Sequence, residues 1–108
     1  PAANAFAEGF KAWLKEDSAR LTDNSNSEEI SAVTACGYDA YMAIYYALDK
    51  AQSTDGATLR DALAALDVPG LVTGDLKFDE NGDAIKSYAI IKTATTEGFV
   101  FADSVAIE

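Results

Sequence analysis

The stretch VTGDLKFDENGDAIKSYAIIK, residues 72–92, decides the fold, because the hydrophobic pattern of the chain changes there. Before it, apolar residues recur at helical spacing. From it onward, short runs rich in Val, Ile, Phe and Tyr are separated by turn signals. These runs predict three strands, over residues 71–78, 84–93 and 98–105.

Alternation within the strands predicts which side chains share a face. Leu76 and Phe78 are expected on one face of their strand, and Tyr88 and Ile90 on one face of the next, with Ile91 on the opposite side. Apolar residues on both faces predict a small antiparallel sheet that is partly covered on both sides.

The acidic DENG segment, residues 79–82, allows two interpretations. Asp, Asn and Gly favour tight turns, so a hairpin turn between two strands is the simpler one. A calcium loop of the EF-hand type is the alternative. An EF-hand loop lies between helices and has the ligand order D-x-[DN]-x-[DN]-G, followed by a distant glutamate. Here the order is Asp79, Asn81, Gly82 and Asp83, between two predicted strands. The turn is therefore favoured.

The segment before residue 71 predicts three helices. In residues 4–17 the apolar side chains lie at i, i+4, i+7 and i+8, which is one stripe of an amphipathic helix: Phe6, Phe10, Trp13 and Leu14. A third, shorter helix is predicted within residues 53–70, with Leu59, Leu63 and Leu66 on one side, ending at Pro69-Gly70.

The second helix is expected to begin between Glu28 and Ser31 and to continue to residue 51. Two capping boxes are available to start it, Ser25 with Glu28 and Asn26 with Glu29. Gly37 weakens the middle of this helix by up to ~1 kcal/mol relative to alanine. A kink there, or a helix that starts nearer Ala35, is the alternative.

Composition limits the classes of function. The chain has 108 residues, 49% of them hydrophobic, which suits one small domain with a modest core. Eighteen acidic and eight basic residues give a net charge of −10, which argues against nucleic acid and anionic membranes as partners. No apolar run approaches the ~20 residues of a membrane span. Because the chain starts at Pro1, it is expected to be a piece of a longer protein.

Catalytic and metal chemistry find little support. There is no histidine, so the usual zinc ligand sets and Cys–His pairs are excluded. The lone Cys36 is expected to be a small buried thiol rather than a reactive one. Asp39, Asp61 and Glu29 are expected in surface or capping roles rather than as an acid–base pair. No enzyme activity, cofactor or metal is therefore predicted.

Four tyrosines on the second helix allow a further choice. They could form a stacking platform for bases or sugars, or they could pack with their hydroxyls at the rim. The acidic net charge argues against nucleic acid, so packing is favoured for Tyr38, Tyr41, Tyr45 and Tyr46.

Several short motifs occur in one order: Tyr38-Asp39-Ala40, the LRDAL run at residues 59–63, Thr73-Gly74, Phe78-Asp79 with Gly82-Asp83, and Gly98-Phe99. This series, over roughly residues 3–102, resembles the C-terminal region of the amino-acid-type solute-binding proteins of ABC transporters. That family includes the leucine/isoleucine/valine-binding proteins and has the type I periplasmic-binding fold, in which two α/β lobes clamp a ligand.

The resemblance implies a fold class and a domain organisation. Residues 1–108 would form a single domain, the C-terminal portion of a solute-binding protein. The fold class is α+β, with three helices followed by a small antiparallel hairpin or three-stranded sheet, as a fragment of one lobe of the two-lobed fold.

The resemblance also implies a site. The family often places a ligand-contacting residue in the loop that leads into the YDA helix, and the matching positions here are Val33, Thr34 and Ala35. These side chains offer apolar contact or one hydroxyl hydrogen bond, which suits an aliphatic or small polar amino acid.

The partners implied are an amino acid, bound only together with the missing lobes, and an ABC transporter permease, in an extracytoplasmic location. A piece of a larger protein is also expected to expose a broad apolar face and to form a homodimer through it. The competing hypothesis is a stand-alone α+β protein-interaction module without a small-molecule ligand, which would not expose such a face. An enzyme is the third and least supported hypothesis.

Overall fold

A computed structural model describes residues 1–107, and it confirms the α+β class. Within these residues the helices come first and the strands follow. The helices are α1 (Ala2–Lys15), α2 (Ser18–Asp23), α3 (Ala32–Ala51) and α4 (Gly56–Ala64). The strands are β1 (Asp67–Leu71), β2 (Gly74–Lys77), β3 (Tyr88–Thr95) and β4 (Gly98–Ala106). They pair as two separate antiparallel hairpins, β1–β2 and β3–β4.

The first predicted helix is confirmed as α1, with Leu14 of its apolar stripe fully buried. The short helix α2 was not predicted, because its six residues are mostly polar. Asp17 caps it by accepting a hydrogen bond from the backbone N–H of Ala19 at 2.8 Å. Arg20 ties α2 back to α1: its guanidinium lies 4.6 Å from the centre of the Trp13 ring and donates to Glu16.

Helix α3 begins at the end of the predicted interval, and both proposed capping boxes are wrong. The cap is Ser31, whose hydroxyl accepts from the backbone N–H of Thr34 at 3.0 Å. Ser25 and Asn26 instead adopt left-handed backbone angles. Asn24 holds this turn by donating to the carbonyls of Ser27 and Glu29. The segment therefore turns before the helix starts.

Gly37 neither kinks nor delays α3, which is continuous over 20 residues. The helix packs against α4, and together with the first hairpin they form the core: Ala43, Ala47, Ala62, Leu66 and Leu76. Tertiary packing of this kind outweighs the helix propensity of one glycine.

Helix α4 confirms the third predicted helix and is capped by Asp55. The carboxylate accepts from both the backbone N–H and the hydroxyl of Thr58. The backbone hydrogen bond from Thr58, together with the hydroxyl bond, holds the pKa of Asp55 below its ordinary value.

The single strand predicted over residues 71–78 is wrong, because the chain reverses at Val72 and Thr73 to form the β1–β2 hairpin. Pro69 lies within β1 although it has no backbone N–H to donate. It is tolerated there because β1 pairs with a neighbouring strand on one side only. Gly74 has a φ of 103°, which lets the chain leave this turn. The expected common face of Leu76 and Phe78 is confirmed, since both belong to the core.

The DENG segment forms the predicted turn, but the predicted pairing of the strands on either side of it is wrong, because β2 pairs with β1 and β3 pairs with β4. The Asp79 carboxylate accepts from the backbone N–H groups of Asn81 and Asp83, at 2.8 and 2.9 Å. The bond from Asp83 is the main reason why the pKa of Asp79 lies below its ordinary value. Phe78 and Ala84 form one bridge beyond the turn. Among residues 1–107 no three His, Cys, Asp or Glu side chains cluster as a metal site.

The β3–β4 hairpin is the longer of the two and does not join the first in one sheet. Lys92 pairs with Phe101 and Ile91 pairs with Asp103, so Ala102 is an extra residue that forms a bulge in β4. Its two faces follow the predicted alternation. The expected cover on both faces is wrong, because only Ala89 of the seventeen strand residues is even half-buried.

The molecule exposes more surface than a folded chain of its mass normally does. Its accessible area is 7936 Å², whereas about 5,800 Å² is typical of an 11.4 kDa monomer. Its radius of gyration is 16.6 Å, against about 13 Å for a compact domain of this length. The surplus includes large apolar side chains on α3 and on both strands of the second hairpin.

Candidate ligand-binding site

The residues expected near a ligand lie in the first turn of α3. Val33 is 80% exposed, while Thr34 and Ala35 are half-buried. The Thr34 hydroxyl lies 2.9 Å from the Ser31 hydroxyl, so it is already engaged in the cap. Val33 is therefore the side chain of the three that is free to contact another molecule.

A polar groove lies beside this turn. It has a volume of about 630 Å³, and it runs between the segment that leads into α3 and the tip of the β3–β4 hairpin. One wall contains Glu29, Ser31 and Ala32, and the other contains Lys92 and Glu97. Val33, Thr34 and Ala35 do not line it; the groove ends at Ala32, one residue before them.

The start of α3 also favours negatively charged groups and hydrogen-bond acceptors. A helix leaves its first backbone N–H groups without intrahelical partners, and its dipole favours negative charge there. Ser31 satisfies one of these groups, that of Thr34. In the described chain the N–H groups of Ala32 and Val33 have no acceptor, so this end can donate hydrogen bonds to a ligand oxygen.

An apolar groove lies elsewhere, between α1, α3 and the β1–β2 turn. Its volume is about 790 Å³ and its lining is almost entirely apolar, with five aromatic side chains: Phe6, Phe10, Trp13, Tyr38 and Tyr46. Phe6 and Tyr38 join the two helices, with ring centres 4.9 Å apart. With few polar groups to orient a ligand, it is a less specific surface than the polar groove.

The tyrosine prediction is confirmed for two of the four side chains. Tyr38 and Tyr46 pack on α1 or the core, whereas Tyr41 and Tyr45 are exposed, at 69% and 54%. The Tyr45 ring meets the Tyr46 ring edge to face, with ring centres 5.5 Å apart. Cys36 is exposed as well, so the prediction of a buried thiol is wrong.

Asp39 corrects a further expectation. It was expected at the surface, but it is 4% exposed and is the one buried charged side chain in residues 1–107. Its carboxylate accepts from the backbone N–H groups of Val72 and Thr73, at 3.0 and 2.7 Å, and from the Thr73 hydroxyl at 2.6 Å. Asp61 and Glu29 are exposed, as expected.

Lys86 extends this contact. Its ammonium donates to the Thr73 hydroxyl oxygen at 2.8 Å, so Thr73 lies between a buried carboxylate and a half-buried cation. The hydroxyl donates to Asp39 and accepts from Lys86, which fixes its orientation. Helix α3 and the β1–β2 turn are thereby fixed to each other, which keeps the helix that carries the candidate site in place.

The sequence analysis did not predict that Asp39, Thr73 and Lys86 contact one another. Two of them lie inside the motifs Tyr38-Asp39-Ala40 and Thr73-Gly74, which was the available signal. Lys92 and Glu97 of the polar groove carried no signal, since each is a single charged residue on a predicted strand or turn.

Comparison with known families matches residues 1–96 to a family described as the receptor family ligand binding region. The chain belongs to that family. The family has the periplasmic-binding type I fold and includes leucine/isoleucine/valine-binding-like proteins. The match covers all four helices and β1 to β3, and it ends before β4. No curated protein and no solved structure matches the chain.

Family membership assigns this chain to the ligand-binding domains of receptors and binding proteins. Within residues 1–107 none of the helices is long and apolar enough to cross a membrane.

Proposed function

We propose that the chain is the C-terminal part of an extracytoplasmic solute-binding protein, which captures an amino acid and presents it to the permease of an ABC transporter. Its role is binding, without a catalytic step. Membership of the receptor ligand-binding family supports a ligand-binding role. The exposed Val33 at the start of α3 is the observation that carries the finer proposal.

The chemistry of this turn favours a ligand with an aliphatic or small polar side chain. Val33 supplies apolar contact, and no charged side chain lies among residues 33–35 to pair with a charged ligand side chain. The unpaired N–H groups of Ala32 and Val33 favour an oxygen of the ligand. A branched-chain amino acid satisfies both requirements.

The ligand would be enclosed only when the rest of the protein closes over this turn. Val33 is 80% exposed, so it buries almost none of a ligand by itself. Closure of two lobes around the ligand would supply the remaining contacts and would shift an open–closed equilibrium toward the closed state.

Calorimetric titration with the common amino acids tests the proposal. The full-length protein that contains this chain is expected to bind one or a few aliphatic amino acids, and the 108-residue chain alone to bind none of them measurably. Tight binding by the chain alone would show that a complete site lies within it. Absence of binding by the full-length protein would exclude amino acids as its ligands.

The alternative, a stand-alone protein-interaction module, is less well supported. Such a module was expected to leave no broad apolar face uncovered, whereas the second hairpin is exposed on both sides.

A further inference from the structure

The DENG turn carries a pair of residues that is chemically labile. Asn81 is followed by Gly82, and it is the one asparagine of the chain with a glycine directly after it. At such a pair the backbone nitrogen of the glycine can attack the side-chain amide carbon of the asparagine, because glycine has no Cβ to obstruct the approach. Both residues are exposed, so water reaches them. The turn therefore has the sequence and the solvent access that deamidation requires.

The main chain around Asn81 is held on both sides by one residue. The backbone N–H of Asn81 donates to the Asp79 carboxylate at 2.8 Å, and the N–H of Gly82 donates to the Asp79 carbonyl oxygen at 3.1 Å. A third bond, from the Asp83 N–H to the same carboxylate oxygen at 2.9 Å, closes the turn. In the folded chain the attacking nitrogen is thus engaged as a hydrogen-bond donor.

We propose that Asn81 is a deamidation site whose rate is set by Asp79. In the reaction the Gly82 nitrogen forms a bond to Asn81 Cγ, the Cγ–Nδ2 bond breaks, and ammonia leaves with the proton that the Gly82 nitrogen loses. Water then opens the resulting succinimide ring at either of its carbonyl carbons, which gives aspartate or isoaspartate. Water is the only co-reactant, and nothing is oxidised or reduced.

The folded turn opposes this ring closure in two ways. Closure requires rotation of Asn81 to bring its Cγ to the Gly82 nitrogen, and the bonds to Asp79 fix the backbone on both sides of Asn81. The Gly82 nitrogen must also lose its proton, which is shared with the Asp79 carbonyl oxygen. The reaction therefore proceeds from molecules in which the turn has opened locally. Loss of these hydrogen bonds makes such molecules rare enough to slow the reaction by about tenfold relative to the unfolded chain.

The products hold the turn less well than the asparagine does. Isoaspartate places an additional carbon atom in the main chain at residue 81, so Asp79 cannot keep its bonds on both sides in the same geometry. Aspartate and isoaspartate each add a negative charge near Asp79 and Asp83, which repel it. Deamidation is therefore expected to loosen the turn irreversibly.

Incubation of the 108-residue chain in mildly alkaline buffer, folded and in guanidinium chloride, tests the proposal. Cleavage after Lys77 and Lys86 releases residues 78–86, in which Asn81 is the single asparagine, so mass spectrometry follows this site alone. Conversion is expected to be about tenfold slower in the folded chain than in the unfolded one. Equal rates in the two states, or no conversion in either, would overturn the proposal.

Matched variants assign the restraint to Asp79. Asp79→Ala removes the carboxylate that holds the N–H groups of Asn81 and Asp83, and it should raise the folded-state rate at least about threefold. Glu80→Ala removes an exposed charge from the same turn and should change this rate by less than about twofold. Each rate is divided by that of the same variant in guanidinium chloride, which removes the effect of the substitution on the local chemistry. Equal ratios for Asp79→Ala and wild type would overturn the assignment.

A second measurement needs no substitution, in case Asp79→Ala unfolds more than the turn. In the folded wild-type chain the Gly82 amide should exchange its hydrogen with solvent about tenfold more slowly than in the unfolded chain, because it exchanges from the same opened turn. A Gly82 amide that exchanges as fast as in the unfolded chain would contradict the proposal.

Discussion

Asp39 and Thr73 lie 34 residues apart in the chain and are joined by two hydrogen bonds to one carboxylate oxygen, at 2.6 and 2.7 Å. The backbone N–H and the hydroxyl of Thr73 both donate to it. Since the neighbouring oxygen accepts from Val72, the whole β1–β2 turn is held by one side chain of α3. The aspartate of the YDA motif therefore holds α3 and the β1–β2 turn together.

Replacing Asp39 should therefore destabilise the chain strongly. Asp39→Ala leaves the backbone N–H groups of Val72 and Thr73 and the Thr73 hydroxyl without their acceptor in a half-buried position. We expect a loss of about 2–4 kcal/mol in the free energy of unfolding, measured by urea denaturation. Asp49→Ala is the matched control, because Asp49 is on the same helix and exposed. Its cost should stay within about 0.5 kcal/mol. Equal costs for the two variants would show that the buried contact contributes nothing.

A double-mutant cycle should detect the coupling between Thr73 and Lys86. Thr73→Val removes the hydroxyl and keeps the backbone N–H, and Lys86→Met removes the ammonium and keeps most of the stem. Because the hydroxyl accepts from Lys86 at 2.8 Å, we expect a coupling energy of about 0.5–1.5 kcal/mol. Strictly additive costs in urea denaturation would mean that Lys86 does not stabilise the turn through this bond.

Much of the helical part of the fold follows from local pattern, and the Asp39 contact does not. The stripe ending at Leu14 and the run through α4 predicted helices where they occur, since a periodic apolar face identifies a helix without knowledge of its partner. Burial of Asp39 depends on a turn that lies 33 residues further along the chain. Because α3 carries both polar and apolar residues, the position of Asp39 on the helix does not indicate that its side chain is buried.

The predicted start of α3 was inexact because two nearby segments could each cap the helix. Ser25 and Ser31 are both suitable caps, and Ser31 was selected because Asn24 binds the carbonyls of Ser27 and Glu29 and bends the chain between them. At the second hairpin, the apolar alternation predicted the strands but also a cover on both faces. Alternation identifies the apolar faces of a strand. It does not indicate whether another segment of the chain packs against them.

The candidate site was only partly predictable. Val33 was reached through the order of the motifs, and the structure places it in the first turn of α3. The groove beside it depends on how the tip of the second hairpin lies relative to Glu29 and Ser31. That relationship between distant segments leaves no local pattern.

Stability should fall in acid partly through two capping aspartates. Hydrogen bonds from backbone N–H groups, together with the Thr58 hydroxyl at Asp55, hold the pKa values of Asp55 and Asp79 below their ordinary values. A folded-state pKa below the unfolded-state pKa means that the contribution is present above about pH 4 and is lost as the pH falls through the folded-state pKa.

Asparagine tests this, because it accepts the same hydrogen bonds and does not titrate. D55N/D79N should lose less Tm than the wild-type chain between about pH 6 and pH 2.5 in thermal denaturation followed by circular dichroism. Asp49→Asn, on an exposed side chain, should leave the wild-type pH dependence unchanged. Parallel curves for all three proteins would show that the caps do not contribute to acid sensitivity.

Val33 should control selectivity for the size of the ligand side chain. In the full-length protein, Val33→Ala removes two methyl groups from the contact proposed for an aliphatic ligand, which is worth about 1–2 kcal/mol, or roughly tenfold in Kd. Calorimetric titration should show this loss for leucine or isoleucine and a much smaller one for alanine. Cys36→Ser, exposed one turn further along α3, is the matched control and should leave every Kd unchanged. If Val33→Ala weakened leucine and alanine equally, its side chain would not contact the ligand side chain. If Cys36→Ser weakened leucine as much as Val33→Ala, the contact would lie elsewhere on the helix.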